Sequence, residues 1–289
     1  MYSKNIRLIL KDLNLIPSKR LGQNFLINTI TRNFILDQAQ VLKNDIILEI
    51  GPGLGALTEK LVEKAKKVYA IEIDLKLVTF LKNNFSTIDN LEIIHENILN
   101  VDIPDHNKVI SNLPYTITGP ILEKVFFKEN PPEGILTIEK NIADRIFSQD
   151  NYKRLSRITI SVNSFMNPLK KFKIPRNSFY PTPNIDLNLI VLSPKEKINY
   201  FLIDDETRSF YLKFLGGIMP YKNKNLVNAL ELYIKKKLNL NLNKNDIINI
   251  LLEQNIENNK VYSYKIAQFL EICKLFYERL KLNDNVKNN

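Results

Sequence analysis

The chain has 289 residues, 44% of them hydrophobic and 25% charged, and is long enough to bury a large core beside a smaller second domain. Lys and Arg number 41 against 31 Asp and Glu, a formal net charge of +10 that favours a polyanionic partner such as nucleic acid, although an Asn-, Lys- and Ile-rich composition raises charge without any function. The single cysteine, Cys273, excludes an intrachain disulfide, and no apolar run approaches the roughly 18 residues of a membrane span.

The first residues, MYSKNIRLILKDLNLIP, interrupt their apolar positions with Lys4, Arg7 and Lys11, a pattern of an amphipathic helix rather than a secretion signal. From Asp45 to about Leu192, short β-branched runs alternate with helical patterns. In order they are IILEI, a helix over Leu57 to Lys66, VYAIEID, a helix to Asn84, LEIIH, KVISNL, a helix near Ile121 to Phe127, and GILTIEK. The alternation predicts a doubly wound α/β sheet. After Pro194, Leu, Ile, Asn and Lys recur at helical spacing without a convincing strand, which predicts a small all-helical C-terminal domain. The expected domains are therefore 1–195 and 196–289. Residues from Lys195 onward carry 16 basic and 11 acidic side chains, so that third of the chain holds half of the net charge. Within it, Cys273 reads as a small buried hydrophobe, in keeping with a reducing compartment. The protein is expected to be soluble and cytoplasmic, with no membrane partner and no bound metal.

Residues 48–58 read LEIGPGLGALT, a strand ending in Glu49, then Gly51, Gly53 and Gly55, then a helix. Glycines at a strand-to-helix turn let the backbone approach a ligand where a Cβ would collide. A dinucleotide fingerprint is G-x-G-x-x-G, with a pyrophosphate on the helix N-terminus. The G-x-G-x-G spacing here, after an acidic residue, instead resembles the first motif of S-adenosylmethionine methyltransferases. A NAD-dependent oxidoreductase is the competing reading of the loop alone. The next strand ends in Glu72, about 20 residues after the first glycine, where a carboxylate accepts hydrogen bonds from both ribose hydroxyls. After the third strand, His95, Glu96 and Asn97 stand where such folds contact an adenine ring.

Residues 109–115 read VISNLPY, a buried strand running into Asn112-Leu113-Pro114-Tyr115. The lone pair of an adenine exocyclic amine is delocalised into its ring, so methylating it requires acceptors that orient the amine and favour a tetrahedral nitrogen. The side-chain carbonyl of Asn112 and the backbone carbonyl of Leu113 suit that task, with Pro114 stiffening the turn and Tyr115 stacking on the base. A sulfonium is a strong methyl donor and the proton can leave to water afterwards, so no general base is required. Alone, Asn-Leu-Pro-Tyr is a turn; after a glycine loop and an acidic second strand it points to an amino-methyltransferase.

These motifs together resemble the ribosomal RNA adenine dimethyltransferases, and within them the bacterial small-subunit enzymes whose loss gives kasugamycin resistance. Lys19-Arg20-Leu21-Gly22-Gln23-Asn24-Phe25-Leu26 is similar to the family's leading segment. By that resemblance Asn24 and Leu26 contact the cofactor together with Gly51, Gly53, Glu72, Asn97 and Asn112, while Lys19 and Arg20 face RNA. Phe179-Tyr180-Pro181-Thr182-Pro183-Asn184-Ile185-Asp186 is similar to the F-x-P-x-P-x-V-D loop, which implies that Phe179 sandwiches the flipped adenine against Tyr115. The stretch from Lys222 to Leu230 resembles the basic segment opening the helical domain and implies that Lys222 and Lys224 meet RNA. The likeness runs from about residue 15 to 280.

The resemblance implies S-adenosylmethionine as cofactor and, as substrate, two adjacent adenines in the loop of the 3′-terminal helix of 16S RNA. Each would be methylated twice by a monomeric enzyme on a partly assembled small subunit. Three positions depart from the family pattern. Asn97 replaces an Asp that accepts from the cofactor's adenine amine, Glu139 replaces a Gln, and Lys153 replaces a Gly. Two related readings remain: a large-subunit methylase of the macrolide-resistance type, which shares an Asn-x-Pro-Tyr turn, and an RNA-binding assembly factor that has kept the fold without the chemistry.

Overall fold

The computed structural model describes residues 6–149, 151, 153–235 and 242–287, and, within the last helix, no side chains of residues 280 and 282–287. The chain divides into two compact units, residues 1–144 with 166–195, and residues 145–165 with 196–289. The sequence reading placed 145–165 in the first domain. In the structure this segment carries helix α7 (Arg157–Phe165), which packs on two helices of the C-terminal part.

The first unit holds α1 (Ile6–Asp12), β1 (Phe25–Leu26), α2 (Thr29–Ala39), β2 (Ile46–Ile50), α3 (Thr58–Leu61), β3 (Lys67–Glu72), α4 (Leu75–Asn84), β4 (Leu91–His95), β5 (Lys108–Asn112), α5 (Thr118–Phe126) and β6 (Glu133–Glu139). After α6 (Lys140–Ile146) and α7 come β7 (Met166–Ile174), β8 (Phe179–Tyr180) and β9 (Leu187–Pro194). Seven strands form one sheet in the order β4-β3-β2-β5-β6-β9-β7. The first five run parallel and β9 runs antiparallel to both of its neighbours. The chain moves outward from β2 to β4 and returns to β5 on the other side of β2. That reversal opens a crevice beyond the carboxyl ends of β2 and β5, where open α/β sheets bind ligands.

Burial explains which strands the sequence revealed. Ile47, Leu48, Val109, Ile110, Ile135 and Leu136 are fully buried, because helices cover both faces of a parallel sheet and its strands read as continuous apolar runs. Strand β7 was missed. As an edge strand it exposes Lys170, Lys171 and Lys173, charges that discourage pairing with another chain and also hide the strand from a pattern search. The helix expected over Leu57 to Lys66 is regular only over Thr58–Leu61, because the Lys66 N–H donates to the Asp45 carbonyl at 2.9 Å and draws the chain back toward the sheet. At the base of β5, Lys108 is buried, 3.2 Å from Asp45 and 3.1 Å from Glu133, and donates to the Ala39 carbonyl at 2.9 Å.

The second unit contains α7, α8 (Asp205–Ile218), α9 (Leu226–Tyr233), α10 (Lys244–Glu253) and α11 (Ile266–Lys287). Asp204 caps α8 through the N–H groups of Glu206 and Thr207, and Asn243 with Asp246 forms a capping box on α10. Gly217 permits α8 and α9 to approach closely, since a Cβ there would lie 1.9 Å from the Tyr233 ring. Cys273 is fully buried, as expected for a small hydrophobe. No helix among the described residues is long and apolar enough to cross a membrane.

Candidate active site

A cavity open to solvent lies at the crevice beyond β2 and β5. Its wall includes Asn24, Leu26, Gly51, Gly53, Glu72, Asn97, Asn112 and Pro114, residues drawn from distant parts of the chain. Apart from Asn24, which directly precedes β1, each sits at the end of a strand or in the turn that follows. Gly51 has φ +67° and a Cβ built on it would meet nothing within 4 Å, so the missing side chain leaves open space beside the backbone. Gly53 has φ +60° and a Cβ there would lie 3.0 Å from the Phe25 ring.

Glu72 organises this loop. Its Oε2 accepts the Gly53 N–H at 3.2 Å, and its Oε1 accepts those of Ile73 at 2.9 Å and Asp74 at 3.0 Å. A carboxylate offers about four acceptor sites, so one remains for a hydroxyl. Burial raises the Glu72 pKa above the usual carboxylate range, and the three N–H groups oppose that shift. Glu49 lies deeper, 2% exposed, and accepts the Thr58 hydroxyl at 2.6 Å. Burial first, and the nearby Glu72 charge next among the raising causes, push the Glu49 pKa up to about 8, so its carboxyl is largely neutral at pH 7. The sequence marked Glu49 only as the acid before the glycines; its hydrogen bond to Thr58 follows from the nine-residue loop folding back.

Asn112 ends β5, opposite Thr137 in the parallel register. Its Oδ1 is buried and accepts no hydrogen bond among the described residues. An orphaned acceptor in the interior costs about 1–3 kcal/mol, so its retention on a cavity wall marks a place where a ligand supplies the donor. Leu113 is anchored by its N–H to the Thr137 carbonyl at 3.1 Å, with its side chain in the core. The Pro114 carbonyl accepts the Ile117 N–H at 3.2 Å, which closes the turn. Tyr115 is half-buried against the main core cluster, outside the cavity wall, and burial holds its phenol well above the usual tyrosine range.

Other expected site residues lie differently. Phe179 is 1% exposed and packed in the core, so its ring offers no open face; its strand pairs with the leading segment, Leu26 opposite Phe179 and Phe25 opposite Tyr180. Asn97 turns its Oδ1 to the Leu99 N–H at 3.0 Å. His95 is exposed and does not line the cavity. Lys19 and Arg20 are exposed on a turn closed by the Gly22 N–H to the Lys19 carbonyl at 3.1 Å. Gly22 in turn abuts the turn of Pro114 and Tyr115, since a Cβ there would lie 3.5 Å from the Tyr115 nitrogen and 3.6 Å from the Pro114 Cα.

In the second unit the Lys222 ammonium donates to the carbonyls of Lys153 and Leu155, both at 2.8 Å, and burial lowers its pKa. Lys224 and Lys153 are exposed. Glu139 ends β6 and accepts from Asn141 at 3.0 Å, away from the cavity wall.

A glycine loop at the sheet's reversal point, an acidic second strand and an unpartnered Asn acceptor before a Pro turn define an S-adenosylmethionine-dependent amino-methyltransferase. Comparison with known proteins narrows that class. Residues 17–276 match the profile described as "Ribosomal RNA adenine dimethylase", and the chain belongs to that family. It is accordingly an S-adenosylmethionine-dependent ribosomal RNA adenine dimethyltransferase.

It is 35% identical over 260 residues to the Ribosomal RNA small subunit methyltransferase A of Clostridioides difficile, covering 86% of each chain. A solved dimethyladenosine transferase from Plasmodium falciparum superposes with a TM-score of 0.71 at 26% identity, covering 89% of this chain and 98% of that one. The 23S rRNA methyltransferase ErmE shares the fold, with a TM-score of 0.60 at 21% identity over 87% of this chain and 99% of that one.

Proposed function

We propose that this enzyme acts on the small ribosomal subunit, dimethylating the exocyclic amines of two adjacent adenines in the 3′-terminal hairpin loop of 16S rRNA. We place it in the cytoplasm, as a monomer working on a partly assembled subunit. The observation that carries the site assignment is Asn112, which lines the cavity and whose buried Oδ1 has no partner among the described residues. The chemical character of the wall fits the cofactor: open backbone at Gly51 and a carboxylate at Glu72 for ribose hydroxyls.

The bound cofactor supplies an electrophilic methyl group on a sulfonium. Gly51, Gly53 and Glu72 hold its nucleoside and amino-acid ends, with Asn24, Leu26 and Asn97 completing the pocket. Asn112 Oδ1 and the Leu113 carbonyl accept the two amine hydrogens of the extruded adenine, which aims the nitrogen lone pair at the methyl carbon. Transfer of the methyl group from sulfur to this nitrogen would leave a surplus amine proton, which would pass to solvent. Tyr115 stacks on the base, an interaction contributing roughly 1–3 kcal/mol that offsets the cost of unstacking it. Lys19, Arg20 and Lys224 bind phosphates without reading sequence. Lys222 also pins the carbonyls of Lys153 and Leu155.

The test is to incubate purified enzyme and radiolabelled S-adenosylmethionine with small and large subunits from cells lacking the modification, then map the label. Dimethyladenosine at adjacent positions near the 3′ end of the small-subunit RNA is the expected result. Label confined to the large subunit, or cofactor binding without transfer to either subunit, would overturn the proposal.

A further inference from the structure

In the motif Lys19 to Leu26, Gln23 lines the cavity, yet both ends of its amide are bonded to the protein itself. Gln23 and Ser18 form a reciprocal pair. The Gln23 N–H donates to the Ser18 carbonyl at 3.1 Å, and the Ser18 N–H donates to Gln23 Oε1 at 2.8 Å. Ser18 Oγ also accepts the Leu21 N–H at 3.3 Å, so the turn bearing Lys19 and Arg20 is closed from inside. The other end of the same amide reaches across 51 positions of sequence, with Gln23 Nε2 donating to Asp74 Oδ2 at 2.9 Å. Asp74 caps α4 through its Oδ1 and gives its own N–H to the Glu72 carboxylate.

We infer that Gln23 is a positioning residue for RNA, fixing the basic turn against the cofactor-binding end of β3 so that Lys19 and Arg20 meet the substrate backbone in register with the catalytic turn. The inference rests on the proposed RNA role of Lys19 and Arg20. Its physical basis is directional. An amide donates at one end and accepts at the other, which is what joining the Asp74 carboxylate to the Ser18 N–H requires. Gly22, the next residue back, touches the turn of Pro114 and Tyr115, so a shift in this segment alters both phosphate contacts and the wall beside the target base. Small misplacements of bound groups are costly in positioning catalysis.

The experiment measures methylation of unmodified small subunits by the full-length enzyme, its affinity for S-adenosylmethionine by calorimetry, and its melting temperature. The variants are Q23A, Q23E, D74N, Q23E/D74N and K19A/R20A. Q23A and Q23E should raise KM for the subunit roughly 5- to 10-fold, the size of one lost hydrogen bond, while cofactor affinity changes less than about 2-fold. Q23E is nearly isosteric and sets two carboxylates facing each other. In Q23E/D74N the new amide at position 74 donates to the new carboxylate at position 23, so KM should return to within about 2-fold of the parent.

An unchanged KM in Q23A and Q23E, a double variant no better than Q23E, or cofactor affinity falling in step with KM would overturn the inference. If K19A/R20A leaves KM unchanged, the RNA role of the turn fails and the inference with it. If K19A/R20A raises KM and the Gln23 variants do not, only the positioning role fails.

Discussion

Replacing Asn97 by Asp should tighten cofactor binding. The Leu99 N–H needs an acceptor and takes the Asn97 Oδ1 at 3.0 Å, which leaves the NH₂ group as the free end of that side chain on the cavity wall. In the proposed cofactor placement that NH₂ group would face the adenine amine, itself a donor, and form no hydrogen bond with it. Asp keeps one oxygen on Leu99 and offers the other to the amine. A hydrogen bond to a charged acceptor contributes about 1.5–3 kcal/mol, and the added negative charge faces a cationic ligand. Desolvating the new carboxylate opposes part of this gain, so the expected change is roughly tenfold, or about 1.4 kcal/mol. Calorimetric titration of both proteins with S-adenosylmethionine measures it, and an analogue lacking the exocyclic amine should show no comparable gain. Equal or weaker binding of the natural cofactor to N97D would refute the donor mismatch.

Asn112→Ala should leave cofactor affinity within about threefold of the parent and reduce methyl transfer at least a hundredfold, the scale for losing a preorganised transition-state hydrogen bond. Glu72→Ala should instead weaken cofactor binding, because it removes the anchor of the glycine loop; normal transfer by both variants would undo the site assignment. Phe179→Ala should cost about 3–5 kcal/mol of stability as a core deletion, read by urea unfolding, and an unaltered unfolding midpoint would show that the ring is not buried as described. Glu49 keeps its proton in the folded protein up to about pH 8, whereas its unfolded value is 4.5. Its contribution to stability is therefore complete below pH 4.5 and declines as pH rises through 8, by roughly 3–5 kcal/mol. Glu49→Gln should remove that decline, and parallel pH–stability profiles for the two proteins would contradict it.

Much of the first unit was legible because its chemistry is ordered along the chain. Glycine loop, acidic strand end and Asn-Leu-Pro-Tyr follow one another at the ends of successive strands, and a parallel sheet brings those ends together. Contacts made outside that order left less trace. Gln23 reaches Asp74 through a hydrogen bond that no local pattern encodes. Phe179 looks like a base-stacking aromatic in its motif, yet the short pairing of β1 with β8 sets it opposite Leu26 and turns it into the core. Lys222 reads in its motif as a residue that meets RNA, and only the path of the 153–155 segment shows that its ammonium also donates to two carbonyls. The α2 helix was missed for a related reason. Its N-cap, Asn28, and its buried Thr31 and Arg32 make its inner face partly polar.

The path of the chain between its two units has a practical consequence. Residue 165 ends α7 and residue 166 begins β7, so the polypeptide leaves the helical unit and returns to the sheet before its final departure at 195. A protease nicking the link at 195/196 would not release the C-terminal helices, because α7 remains covalently joined to the sheet and packed on α8 and α11, with Lys222 gripping the segment ahead of it. The two fragments should migrate together until a denaturant separates them. A transplanted helical unit would have to be exchanged as two segments.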